Sequence, residues 1–396
     1  MVFKRVVGLF VLTLLLIGES TSAFAVDVRF SGFGDVVLGL RSSAPADEAE
    51  LAAYEANGSD PWPLNEHDGV TVTGVDFVTI VDLTEELTFL TEANLQTVRG
   101  GSSEIEIDIE RIFINYEYSQ QLNFQTGLYF TPIGYHNRFL YSRAWLMDSI
   151  QIFDLFEEEL NLVPTHSVGI MIHGTFPMEG GKSLKYIVNV ANGRGPAPNA
   201  AIYGRDPDGG LEFTWLLEWT VPQFNQSRIG LSGWFDQVDS RYLPLYGAEN
   251  TATSSKLSMD EIGFNPYLVM NTHSFHILAE YVWSKREDRI GNLPKDEYVS
   301  SGFTIEISTR LKDGKLHPYI RYDSTSFEEP GGSPYLSIRG DSDEGFTKVY
   351  IPETKAVMMG MAYDLNAHFR LKGEIVHNLD GHRAKNVVMF QAAFGF

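Results

Sequence analysis

From residue 26 onward, apolar residues alternate with polar or small residues at a period of two, which is the period of β-strands rather than of helices. The final segment is typical, because Val388, Phe390, Ala392, Phe394 and Phe396 all fall on one face. The pattern predicts sixteen strands, at residues 26–40, 70–81, 86–98, 104–118, 122–130, 165–176, 184–193, 211–221, 228–238, 260–271, 275–285, 298–310, 316–326, 354–365, 368–379 and 387–396.

The alternation slips by one residue in the fourth segment. Its apolar residues are odd-numbered up to Ile109 and even-numbered from Ile112 onward. One extra residue in an otherwise regular strand shifts the phase in this way. The sequence therefore predicts a β-bulge near Glu110 and Arg111.

The connections between these segments alternate in length. The even-numbered connections have about two to seven residues, whereas the odd-numbered ones reach about 34 residues, as in barrels with turns at one end and loops at the other. No stretch after the N-terminus approaches the ~20 apolar residues of a transmembrane helix. We therefore predict an all-β fold, a transmembrane antiparallel β-barrel of sixteen strands with a long inward-folded loop. Counts of fourteen or eighteen strands remain open.

Residues 1–25 have the order of features found in a secretory signal peptide. Lys4 and Arg5 precede an apolar run from Val6 to Ile17, and Ala23-Phe24-Ala25 matches a cleavage site. The domain prediction is therefore a signal peptide over 1–25 and an outer-membrane barrel over 26–396, in the cell outer membrane.

Charge content limits the possible partners, and cysteine content limits the possible sources of stability. The net charge of −22 would repel nucleic-acid phosphates, so no nucleic-acid partner is predicted. The chain has no cysteine, so disulfides cannot stabilise it after export. A closed hydrogen-bonded barrel is an alternative source of stability.

A barrel of sixteen strands is too wide for its side chains to fill, so water enters the interior. Charged residues on the face opposite the apolar one are then expected to line a wet pore. The pore-lining candidates are Arg29, Glu92, Glu212, Glu218, Arg228, Glu280, Arg321, Arg370, Lys372 and Glu374.

Several short segments resemble those of bacterial porins. They are VRFSGFGD at 28–35, GLYFTPIG at 127–134, VANG at 190–193, PYIRYD at 318–323 and the terminal Phe396. On these residues the chain resembles the porin superfamily, closest to the phosphate-selective porin O and P branch and its uncharacterised relatives. The resemblance implies a homotrimer with one long loop folded into each pore. Phe390, Phe394 and Phe396 also resemble the C-terminal signal that barrel-assembly machinery reads.

The inward loop implied by the resemblance maps to the longest connection, residues 131–164. Its constriction candidates are Arg138, Arg143, Asp148, Asp154, Glu157, Glu158 and Glu159. Acids outnumber bases among them, which predicts a preference for cations. Phosphate-selective relatives depend on basic residues along the pore, and the scattered Arg and Lys residues here form no such ladder.

The function predicted is passive diffusion of small hydrophilic solutes or ions through a water-filled pore. It needs no cofactor, no metal and no catalytic residues, and the predicted surroundings are the lipid bilayer and lipopolysaccharide. Two alternatives remain open. One is a barrel whose outer loops serve adhesion or structure, and the other is a barrel hydrolase. A hydrolase would need a nucleophile beside a histidine, and the sequence contains no G-x-S-x-G motif.

Overall fold

The structure is a computed structural model of the 396-residue chain. It describes residues 27–41, 69–97, 105–141, 144–153, 156, 163–193, 210–240, 257–290, 296–327, 353–380 and 386–396. The predicted signal peptide lies outside these residues. No helix within the described ranges is long and apolar enough to cross a membrane.

Sixteen antiparallel strands form one closed barrel in which each strand pairs with its neighbours in sequence and β1 pairs with β16. The strands are β1 (Asp27–Arg41), β2 (Gly69–Asp82), β3 (Leu87–Thr97), β4 (Ile105–Ser119), β5 (Leu122–Phe130), β6 (His166–Pro177), β7 (Ser183–Ala191), β8 (Glu212–Val221), β9 (Ser227–Ser240), β10 (Leu257–Asn271), β11 (Phe275–Ile290), β12 (Asp296–Thr309), β13 (Leu316–Phe327), β14 (Lys355–Asn366), β15 (Phe369–Asn378) and β16 (Asn386–Gly395).

The predicted strand count and fold class are confirmed, and most strand ends agree within a few residues. The largest differences are at β11, which continues five residues beyond the predicted end, and at β10, which starts three residues before the predicted start. At β11 the alternation of apolar and polar residues stops where charged residues begin, but the ladder continues and those charges pair. Lys285, for example, lies 3.1 Å from both Glu287 and Glu297.

The predicted bulge in β4 is also confirmed. Glu92 pairs with Arg111 and Ala93 pairs with Ile109, so Glu110 is the extra residue. The carboxylate of Glu110 lies 3.1 Å from the Nε2 atom of His166 on β6. The bulge therefore places two adjacent charged side chains, Glu110 and Arg111, toward partners inside the barrel.

The two faces of the barrel wall differ in polarity. Large apolar side chains such as Phe30, Ile170 and Ile229 are exposed on the outside. Buried carboxylates, amides and hydroxyl groups lie on the inside, together with a smaller number of apolar side chains such as Leu216 and Met358. This distribution is the reverse of that in a water-soluble β protein and fits a barrel surrounded by lipid.

Phe396 closes the seam between the first and last strands. Its N–H donates to the carbonyl of Gly32 at 2.9 Å, and the N–H of Gly32 donates to the carbonyl of Phe396 at 3.0 Å. The Phe396 ring lies over Gly32, where an added Cβ would be 2.5 Å from the ring, and it makes an edge contact with Phe77. The seam therefore depends on both the terminal residue and a glycine opposite it.

Deleting Phe396 is expected to lower the stability of the folded barrel. Two backbone hydrogen bonds are lost at the seam, each worth about 0.5–1.5 kcal/mol, and the ring contact is lost with them. Heat-modified mobility on gels, measured against temperature, should show a lower unfolding temperature than in the full chain. Phe275→Ala, an exposed aromatic residue away from the seam, is the control. An equal loss in both variants would contradict a special role for the seam.

Candidate functional site

The connection between β5 and β6, residues 131–165, is called the lumen loop below. Its two ends are held together, because the N–H of Thr131 donates to the carbonyl of Thr165 at 2.9 Å. The side-chain amide of Asn137 donates to the carbonyls of Thr131 and Thr165, each at 2.8 Å. These bonds form a fixed neck from which the rest of the loop leaves the wall.

After the neck, the loop is attached to Glu280 on β11. The Glu280 carboxylate accepts the backbone N–H groups of Tyr135 and His136, both at 3.0 Å, and lies 2.8 Å from Nδ1 of His136. The side chain of Glu280 is almost completely buried. Hydrogen bonds to a buried charged acceptor are among the stronger ones in proteins, so this contact anchors the loop firmly.

Gly134 allows the loop to approach the wall closely. It has a φ of +61°, and a Cβ there would lie 1.8 Å from Glu280 Oε1 and 2.3 Å from Asn265 Oδ1. Its N–H donates to the hydroxyl of Ser232 on β9 at 2.9 Å. Only glycine combines this backbone conformation with so little space.

A second set of contacts joins residues 144–151 to β13 and β15. Lys372 donates to the carbonyls of Ala144 and Ser149, the latter at 2.9 Å. Arg321 donates to the carbonyl of Gln151 at 2.6 Å. Because the loop supplies backbone carbonyls to these cations, the contact depends on the shape of the loop as well as its sequence.

These two sets of contacts show that the lumen loop crosses the barrel. It leaves the wall at the end of β5, touches β9 and β11, and reaches β13 and β15 on its way to β6. Strands β5 and β13 are eight places apart in a closed ring of sixteen, and are therefore on opposite sides. Any solute that passes along the lumen must pass this loop.

Asp148 is the charged residue at which the loop meets the far wall. Its carboxylate lies 2.8 Å from Nδ1 of His317 and accepts a bond from Arg370 at 3.3 Å. Burial by itself would raise the pKa of Asp148, but the hydrogen bond from His317 and the charges of His317 and Arg370 outweigh burial and lower that pKa. Asp148 therefore stays ionised in neutral solution and holds the loop to His317 and Arg370.

The two described constriction candidates both lie in the lumen. Arg138 donates to Glu218 at 3.4 Å and to the hydroxyl of Tyr267 at 3.1 Å, and Asp148 contacts the opposite wall. The other five candidates, Arg143, Asp154, Glu157, Glu158 and Glu159, lie outside the described residues. Their placement at a constriction stays a prediction.

Most of the predicted pore-lining residues are placed on the inner face. The buried ones are Glu92, Glu212, Glu218, Glu280, Arg321, Arg370, Lys372 and Glu374. Arg228 is half-buried, with its guanidinium 5.3 Å from the centre of the Phe139 ring. Arg29 is exposed near the end of the barrel and pairs with Asp82 at 2.8 Å. The three assembly candidates, Phe390, Phe394 and Phe396, belong to the outer face, where Phe390 and Phe396 are exposed.

Sequence reasoning missed several residues that hold the site together. Ser232, Asn265 and His317 all contact or adjoin the loop, and Lys185 faces the same lumen on β7. The alternation along each strand could have indicated that these side chains face the lumen. Their association with the loop could not be inferred, because it depends on which strands the loop reaches across the lumen.

These features define a class by fold: a closed sixteen-stranded barrel with a loop folded across its interior, as in porins. Solved structures with the same fold include the outer membrane channel DcaP of Acinetobacter baumannii, with 11% identity and a TM-score of 0.55, over 95% of this chain and 99% of that one. An anion-selective porin from Comamonas acidovorans has 13% identity and a TM-score of 0.54, over 94% and 100%.

A third similar structure is OmpT, an outer membrane protein of Vibrio cholerae, in a trimer form, with 10% identity and a TM-score of 0.51, over 94% and 100% of the two chains. No protein-family model matches this chain, and no curated protein matches it significantly. At these identities the likeness is one of fold. The resemblance to the phosphate-selective O and P branch stays a prediction.

Proposed function

We propose that this chain is an outer-membrane channel through which small hydrophilic solutes or ions diffuse passively. The observation that carries the proposal is the polarity of the wall, apolar outside and charged inside around a loop that crosses the lumen. Such a lumen needs only water and a field from its charged groups to conduct ions. Two of the similar structures, an outer membrane channel and an anion-selective porin, support the same function.

A preference for cations is part of the proposal. Among the described residues, twelve Asp and Glu side chains are buried, against four Arg and Lys side chains. Most of these acids lie on the inner face, so the field in the lumen favours cations. The anion-selective porin of similar fold shows that this architecture does not fix the sign of selectivity, which depends on the residues of each lumen.

The proposed surroundings follow from the same function. The outward apolar side chains suit a lipid bilayer, and lipopolysaccharide would cover the outer end in the outer membrane. A cleaved signal peptide over residues 1–25 would export the chain, and barrel-assembly machinery would insert it. The trimer form of one similar structure supports a homotrimer.

Planar-bilayer recording tests the function and the sign of selectivity together. We expect purified protein to add stepwise conductance, and the reversal potential in a potassium chloride gradient to have the sign of a cation-preferring pore. Stepwise conductance with the opposite sign would overturn the preference but keep the channel. Absence of any conductance from correctly folded protein would overturn the channel itself and favour a barrel that acts through its outer loops.

A further inference from the structure

The cations of the lumen fall into two groups that differ in their partners. Most described ones are neutralised by a carboxylate: Arg286 lies 3.3 Å from Glu261, Arg321 donates to Asp323 at 2.8 Å, and Arg370 pairs with Asp148 and Asp364. Lys372 is covered by two loop carbonyls. These groups have little capacity left to bind a solute.

The second group consists of Lys185 on β7 and Arg228 on β9, which are not neutralised in this way. Within the described part of the chain, the side chains of Lys185 and Arg228 make no hydrogen bond or ion pair to protein, and both residues are half-buried. Lys185 pairs in register with Glu218 on β8, and Arg228 pairs with Thr220, two residues further along β8. The two cations therefore face the lumen close to each other with free donor groups.

Arg138 of the lumen loop joins this pair of cations. The charges of Arg138, Glu218 and Arg228 all act on Lys185, and those of Arg138, Glu218 and Arg228 also act on Tyr135. Phe139 holds the two arginines together, because the guanidinium carbons of Arg138 and Arg228 lie 4.7 and 5.3 Å from its ring centre. The carboxylates near these three cations are those of Glu218 and Glu280.

Both carboxylates are already occupied. Glu280 accepts the backbone N–H groups of Tyr135 and His136. Glu218 accepts bonds from Arg138 and from the Tyr267 hydroxyl. The cluster formed by Arg138, Lys185, Arg228, Glu218 and Glu280 therefore keeps an excess of one positive charge in a lumen that is otherwise rich in acids. Half-buried cations without partners favour an anionic ligand, because a charge removed from water needs compensation.

The surroundings of the cluster also narrow the kind of anion. Tyr135 and Phe139 lie side by side with their ring centres 4.9 Å apart, and Tyr135 and Tyr267 are 5.9 Å apart. Tyr267 is buried, whereas the half-buried rings of Tyr135 and Phe139 offer apolar surface beside the free cations. A small organic acid matches both parts, since its carboxylate can accept from lysine and arginine while its apolar part contacts the rings.

We propose that Arg138, Lys185 and Arg228 form a binding subsite in the lumen for the carboxylate of a small organic anion, with Tyr135 and Phe139 against its apolar part. The subsite rests on the proposed channel function and names a substrate class for it. It lies beside the neck of the lumen loop, next to Asn137. An organic acid would be held there briefly in a pore whose overall field favours cations.

The test compares the wild-type chain with the double variant Lys185→Gln and Arg228→Gln. Sodium benzoate, acetate or phosphate is added to a conducting pore at constant potassium chloride, and the reduction of single-channel current is recorded. We expect benzoate to block the wild-type pore at lower concentration than acetate or phosphate. The half-blocking benzoate concentration should rise about tenfold or more in the double variant, because two charge-assisted hydrogen bonds are removed.

The matched control is Lys285→Gln with Lys315→Gln, which removes the same charge from outside the lumen and from an exposed turn. Its half-blocking concentration should equal that of the wild type. Equal block by phosphate and benzoate would overturn the organic-acid assignment in favour of a general oxyanion site. Equal block in the wild type and the double variant, or no block of a conducting pore, would overturn the subsite and leave the channel function intact.

Calorimetric titration of benzoate into detergent-purified protein gives a readout that does not need conductance. Binding by the wild type and weaker binding by the folded double variant would support the subsite even if the pore did not conduct. Equal heats in both proteins would overturn it. Heat-modified gel mobility of each variant shows whether it is folded.

Discussion

Deleting residues 138–160 is expected to raise the single-channel conductance about two- to fivefold, because the segment that crosses the lumen is removed. The neck formed by Thr131, Asn137 and Thr165 lies outside the deletion, and the two strands that the shortened loop must join are adjacent. The barrel wall is therefore expected to close as before.

The same deletion should move ion selectivity toward anions. It removes more acids than bases from the loop and uncovers Lys372 and Arg321, which lose their bonds to loop carbonyls. Reversal potentials in a salt gradient measure this change. A matched deletion of residues 330–350, in another connection at the same end of the barrel, is the control. If both deletions change conductance equally, the lumen loop does not narrow the pore.

Replacing Glu280 by alanine is expected to release the first part of the lumen loop from the wall. Two backbone N–H groups and one imidazole lose their acceptor, and each buried donor left without a partner costs about 1–3 kcal/mol. The loop would then move in the lumen, so we expect higher mean current with rapid fluctuations. Limited proteolysis of the detergent-purified protein should also cleave within residues 138–160 faster than in the wild type.

Gly134→Val is also expected to release the lumen loop from the wall. The valine side chain would clash with Glu280 and Asn265, and the φ of +61° is unfavourable for valine. The control is Glu297→Ala, which removes an acid from an exposed position outside the lumen. Quiet currents of wild-type size in both Glu280→Ala and Gly134→Val would show that the anchor does not hold the loop.

The barrel itself could be predicted because each of its strands is indicated by a pattern of neighbouring residues. Each strand has lipid on one face and the water-filled lumen on the other. Alternation along a few residues therefore indicates both the strand and its two faces. Even the bulge at Glu110 appears in the sequence as a phase slip, and the structure places the extra residue there. Strand ends were less accurate where paired charges extend the ladder, as at Lys285.

The candidate site was less predictable because its contacts join distant parts of the chain. Glu280 was predicted only as a lining residue, and its bonds to Tyr135 and His136 span 145 and 144 positions. The excess of acids in the loop predicted a preference for cations. It could not show that Arg321 is neutralised by Asp323 while Lys185 has no partner within the described residues. Such differences depend on geometry across the barrel rather than on composition.

The seam between β1 and β16 also determines when the barrel can be completed. Asp35 and Gln391, which bond across the seam, are separated by 356 positions. Because β1 precedes β16 by the whole length of the barrel, one edge of β1 stays unpaired until β16 has been made. An open edge of this kind favours aggregation, and long-range pairing is slow to form. We therefore expect closure of this seam to be a late step in folding.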